Sequence, residues 1–169
     1  MVIPSFVVYF EPFLRSGMAD LIEACRACCH HLHDSSSGCT ALHYAVDASQ
    51  EETLQFAMDD GADIEAKDRQ GWTPLMRGMV SESTISILQA LVSRGADVNC
   101  CDRRNQTCLM QAVLSGRQDA VKLLIDAGVD LHSRNVYSNT ALDMAIGRGY
   151  NPSAGGEPPG ISRRFQEEE

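Results

Sequence analysis

A fixed period constrains this chain more than any other feature of its sequence. Thr40, Thr73, Thr107 and Thr140 are spaced by 33, 34 and 33 residues. Gly61, Gly95 and Gly128 keep the same step, and each opens a Gly-x-Asp tripeptide. Turn segments hold the register as well: Asp68-Arg69-Gln70-Gly71, Asp102-Arg103-Arg104-Asn105 and Asn135-Val136-Tyr137-Ser138 each begin five residues before a threonine. Three landmarks in phase from Thr40 to Thr140 predict a stack of small units, each unable to bury its apolar face without neighbours.

Two short helices can be read inside every unit. The threonine is placed to cap the first, with Pro74 one step on at a position where its missing N–H costs nothing. Leu75 and Met79, Leu109 and Val113, and Leu142 and Ile146 fall at i and i+4 on one face. Ala45, Gly78, Ala112 and Ala145 are small residues at matching positions, as close stacking requires. Ser49-Gln50-Glu51-Glu52 has the pattern of a capping box for the second helix, which runs through Leu54, Phe56 and Met58 and ends on Gly61.

At this level of detail the sequence resembles a known family. Gly38-Cys39-Thr40-Ala41-Leu42-His43, Gly71-Trp72-Thr73-Pro74-Leu75-Met76 and Gly95-Ala96-Asp97-Val98-Asn99 are similar to ankyrin repeats. The wording around Thr40 and Thr73 also resembles the ankyrin half of proteins that join a fibronectin type III domain to ankyrin repeats. The resemblance implies a mainly α solenoid of helix-turn-helix units with β-turn fingers. Its divisions are a partial repeat at 16–34, full repeats at 35–67, 68–101 and 102–134, and a partial repeat at 135–150. In the first full unit Ser35-x-x-Gly38 replaces the leading aspartate.

The ends depart from the pattern. Residues 1–15 read as irregular. Met1 to Leu14 is apolar, but no Lys or Arg precedes the apolar stretch and Pro4, Glu11 and Pro12 interrupt it, so a signal peptide is disfavoured. Ser16-Gly17 and Leu32-His33 recur 99 residues later as Ser115-Gly116 and Leu131-His132, which reads 16–33 as the second helix of a degraded repeat. Residues 151–169, with three of the six prolines and a Glu167-Glu168-Glu169 finish, have the composition of an acidic disordered tail. Without polar caps, such an array is expected to be a fragment, a splice product, or a unit completed by another chain, and its open ends offer a route to self-association.

Net charge of −9 argues against nucleic acid and anionic lipid as partners. No apolar run approaches the roughly 20 residues of a membrane helix. Seven cysteines, an odd number, fit reduced thiols in cytoplasm or nucleus. No nucleophile, base and orienting acid recur together, and no phosphate loop is present, so catalysis has no support and no cofactor is expected.

What remains is recognition of another protein. The resemblance implies a concave face made of finger tips and first helices. Its residues here are Arg69, Gln70, Trp72 and Arg77; Arg103, Arg104 and Gln106; and Val136, Tyr137 and Asn139. Trp, Tyr and Arg are the types that dominate binding hot spots; soluble turn residues are the competing reading. Residues 34–68 carry nine acids and one base, a net of −8, against −1 for the rest of the chain, a polarity that would orient a partner. A plainly solvated face accounts for it equally well.

Three further features carry chemistry. Cys25, Cys28, Cys29, His30, His31 and His33 have zinc-like spacing, and a zinc- or redox-responsive regulator is the alternative function they suggest. The repeat register instead spreads them over a helix end and a turn, and a thiol-rich core is the favoured reading. Cys100-Cys101 in a finger reads as inert turn cysteines ahead of an exposed redox pair. By resemblance, His43 ties the repeat threonine to the adjoining loop, with Met76, Met110 and Asp143 in its place later. Asn99 resembles ankyrin asparagines modified by an oxygen-dependent hydroxylase, although an unmodified turn residue is favoured. A partial isoform competing with a longer parent is the remaining alternative.

Overall fold

Every repeat threonine starts a helix. The computed structural model describes Asp34 and residues 36–81 and 83–149. Seven helices run through these residues: α1 (Ala41–Asp47), α2 (Glu51–Asp59), α3 (Pro74–Val80), α4 (Ile85–Ser93), α5 (Cys108–Ser115), α6 (Gln118–Asp126) and α7 (Ala141–Gly147). Thr40, Thr73, Thr107 and Thr140 hold extended backbone at the N-caps of α1, α3, α5 and α7. The hydroxyls of the last three accept the N–H of Met76, Met110 and Asp143, so each cap satisfies a donor that the first turn leaves open.

Helices of seven to nine residues do not persist alone in water, and their stability comes from packing. α1 packs on α2, α3 on α4 and α5 on α6, while α1, α3, α5 and α7 form one row and α2, α4 and α6 another. Between the rows lies one continuous apolar core. Leu42, Leu75, Met76, Met79, Leu109 and Met110 enter it from the first helices, and Leu54, Ile87, Leu88, Leu91 and Leu124 from the second. The small residues act as expected: Ala45, Ala112 and Ala145 are buried, and a Cβ on Gly78 would run into Leu88 and Val46. Ile146 is 46% exposed, because no second helix covers α7 among the described residues.

Two local readings of the sequence need correction. Ser49 is not a capping residue. It adopts a left-handed backbone (φ 53°), as Gly116 does nine residues after its own threonine, and Gln50 is the N-cap of α2. The first finger is led by Asp34 and not by Ser35. Asp34 accepts the N–H groups of Ser36 and Ser37, and its backbone pairs with Cys39, so this turn is one residue longer than its successors.

The fingers are built alike. Oδ1 of Asp68 takes the N–H of Gln70 and Trp72, that of Asp102 takes Arg104 and Gln106, and that of Asn135 takes Tyr137 and Asn139. An antiparallel bridge between Cys101 and Thr107 closes one of them. Gly38 and Gly71 have positive φ, and a Cβ on either would press on the arginine of the next finger, Arg69 or Arg103. Finger stacking is sealed by Arg69 N–H donating to Ser37 O and Val136 N–H donating to Arg104 O, at 3.0 and 3.1 Å.

Candidate functional site

The second and third fingers, together with α5, enclose a concavity of about 450 Å3 lined by Gln70, Trp72, Asp102, Arg103, Arg104, Gln106 and Gln111. Five of these, Gln70, Trp72, Arg103, Arg104 and Gln106, are among the residues expected from the sequence. Trp72 is half-buried. Its indole N–H points to Asp102 Oδ2 at 3.4 Å, which orients the ring, and its backbone carbonyl accepts His43 Nε2–H at 3.0 Å, which fixes the main chain beneath it. With Oδ1 occupied by two backbone N–H groups and Oδ2 by the indole, the Asp102 carboxylate is committed inward. Arg103 and Arg104 are exposed. Neither makes an ion pair among the described residues. The rim therefore presents two cations that no acid of the wall neutralises.

Gln111 was not anticipated. It is 7% exposed and donates through Nε2 to Gln106 Oε1 at 2.7 Å, which fixes the floor of the concavity. Its register would have revealed it. Four residues after each repeat threonine stand Tyr44, Arg77, Gln111 and Met144, and the first two also reach a finger: Tyr44 Oη donates to Asp34, and Arg77 Nη1 to Asp68 at 3.2 Å. Arg77 is further engaged with Asp47 through Nε at 2.8 Å, so its guanidinium braces two units.

The remaining expected residues lie outside this concavity. Arg69 is exposed at the tip of its finger, stacked over Gly38. Val136 and Tyr137 are 56% and 65% exposed on the last finger, beside exposed Asn139. They extend the row without sharing the wall of the cavity.

His43 is fully buried. Thr40 N–H donates to Nδ1 at 3.1 Å, which leaves Nε2 to carry the proton that Trp72 O accepts. Burial holds its pKa below the usual histidine value, so the ring is a neutral strut between α1 and the second finger. Asn99 Oδ1 accepts Asp130 N–H at 2.8 Å, as Glu65 accepts Asp97 N–H one unit earlier. Cys100 is buried against Cys108, whereas Cys101 is partly exposed. The Cys25 to His33 cluster, residues 1–33 and the tail from 150 lie outside the described residues. Among the described residues no set of three metal-ligating side chains converges, and no helix is long and apolar enough to cross a membrane.

Comparison with known proteins agrees with this geometry. The three-copy ankyrin repeat profile matches residues 14–100 and 79–154. The chain is 31% identical over 115 residues to alpha-latrotoxin-Lg1a of Latrodectus geometricus, and 36% identical over 112 residues to human B-cell lymphoma 3 protein. These alignments cover 67% and 66% of the chain but only 8% and 24% of those proteins. A putative ankyrin repeat protein of fowlpox virus is 32% identical over 116 residues, spanning 69% of the chain and 80% of the viral protein. By its periodic sequence, its paired helices and these matches, the chain belongs to the ankyrin repeat family.

Proposed function

We propose that the chain is a non-catalytic adaptor that binds a segment of another protein across the row of fingers, with the Trp72 concavity as its anchor. Ankyrin repeats generally serve as protein–protein interaction modules, and roles in scaffolding, signalling or transcriptional regulation in cytoplasm or nucleus are consistent with that use. The observation that carries the assignment is the placement of Arg103 and Arg104, exposed and without an acid partner among the described residues, on the rim of a cavity whose wall is a half-buried tryptophan. An aromatic wall supplies buried area and the two cations supply direction. The favoured partner segment carries Asp or Glu beside an apolar anchor. Arg69, Val136, Tyr137 and Asn139 continue the contact along neighbouring fingers.

Selection from a random peptide display library tests this. The chain should enrich peptides with paired acids, and Arg103→Glu with Arg104→Glu should lose them while leaving the thermal unfolding midpoint unchanged, since both side chains are solvent-facing. Enrichment of the same peptides by both proteins refutes the assignment.

A further inference from the structure

Two thiols meet below the finger that carries Arg103 and Arg104. The Cys101–Thr107 bridge is antiparallel, so it sets Cys100 opposite Cys108 one step outward. Their sulfurs are 3.1 Å apart, and a disulfide requires an approach of about 1 Å more. Thr73 Oγ1 lies 3.3 Å from Cys100 Sγ on another side. Cys101, the sequence neighbour, turns elsewhere, with its sulfur near Asn105 Oδ1 at 4.0 Å. The thiols adjacent in sequence are therefore not the thiols adjacent in space.

We propose that Cys100 and Cys108 are an oxidant-responsive dithiol that closes to a disulfide across the base of this finger. Contact with Cys108 lowers the pKa of Cys100, while the same contact and then burial raise that of Cys108, which fits Cys108 as S–H donor and Cys100 as nucleophile. Exposure agrees: Cys100 retains 6% and Cys108 none. With a peroxide as oxidant, the Cys100 thiolate attacks one oxygen, the O–O bond breaks, and the departing hydroxide takes a proton to become water. The product is Cys100–SOH. The Cys108 sulfur then attacks that sulfur and displaces hydroxide, which leaves with the Cys108 proton as a second water. Two thiols are oxidised and one peroxide is reduced. The new bond pins the hairpin whose tip bears both cations.

Peptide mapping of the reduced full chain, exposed to a few equivalents of hydrogen peroxide and then alkylated, tests the pairing. Trypsin cuts after Arg94, Arg103, Arg104 and Arg117, placing Cys100 on peptide 95–103 and Cys108 on 105–117. Oxidation should join these two peptides, with two of the seven thiols consumed, and the linked pair should persist in Cys101→Ser and vanish in Cys100→Ser and Cys108→Ser. A link that survives Cys100→Ser by way of Cys101 overturns the proposal. So does consumption of Cys101 or of the thiols at 25–29 while Cys100 and Cys108 are recovered alkylated. The wild-type and Cys101→Ser maps decide the question even where a core serine impairs folding.

Discussion

Arg117 offers a sharp test of how neighbouring units are joined. Its Nη1 donates to Gly78 O at 2.7 Å, Ser81 O at 3.0 Å and Ser83 Oγ at 3.3 Å, and its Nη2 to Ser83 O at 2.8 Å. The guanidinium of one unit thus closes the carboxyl end of α3 in the preceding unit, where carbonyls lack helical partners and attract positive charge. Gly78 O keeps a second donor, Ser83 Oγ, when the arginine is removed. Ser81 O and Ser83 O depend more heavily on it. The Asp119 contact is partly exposed and adds little. Two charge-assisted bonds at about 1.5–3 kcal/mol each set the scale, and the carbonyls regain some water, so Arg117→Ala should cost about 3 kcal/mol. Lysine keeps the charge but cannot span the fork, and Arg117→Lys should recover about 1 kcal/mol of that loss. Urea unfolding monitored by circular dichroism reads the difference directly, as a midpoint lowered by about 1–2 M for the alanine variant. A loss below about 0.5 kcal/mol, or a lysine variant as stable as the parent, refutes the reasoning.

Three more outcomes follow from named contacts. Gly78→Ala should destabilise by about 1–3 kcal/mol despite a better helix propensity, because Leu88 and Val46 leave no room for a methyl group; a rise in melting temperature would show that the core yields. His43 has a folded-state pKa below its unfolded value, so the unfolded chain binds the extra proton. Its contribution is complete above about pH 6.5 and is lost as pH falls, at up to about 1.4 kcal/mol per unit. Denaturation curves between pH 7 and 5 should show this slope in the parent and a shallower one in His43→Asn. Finally, Asn135 is buried with no partner for its Nδ2 among the described residues, and Met144 stands where Tyr44 and Arg77 serve the equivalent side chains. Met144→Gln should add about 0.5–1.5 kcal/mol by supplying an acceptor, measurable as a higher melting temperature.

Much of the fold is legible in the sequence because its rules are local. Thr73, Pro74, Gly61 and Asp68 act on backbone groups within a few residues, and any stretch that repeats them repeats the conformation. The Trp72 concavity was half legible for the same reason, since turn residues announce finger tips. What local pattern conceals is contact across units. Arg117 resembles an ordinary polar residue at a helix start until Gly78 O is placed beside it, 39 positions away. Gln111, within its own unit, looks like a polar interruption on an apolar helix until it is set in register with Tyr44 and Arg77, which also reach a finger. Asp34 escaped notice because one inserted residue moved it out of phase, although the geometry of the turn absorbed the change. Cys100 and Cys101 show the converse error: adjacency along the chain suggests a pair, while the pleat of a hairpin sends neighbouring side chains to opposite faces.

The ties described between units, His43 to Trp72, Arg77 to Asp47 and Arg117 to Gly78, span 29, 30 and 39 positions, each about one repeat. Such wiring makes the molecule behave as a zip. Pulled from its ends, it should open tooth by tooth, in even steps on a force-extension trace, and each tooth should reclose without waiting for the opposite end of the chain.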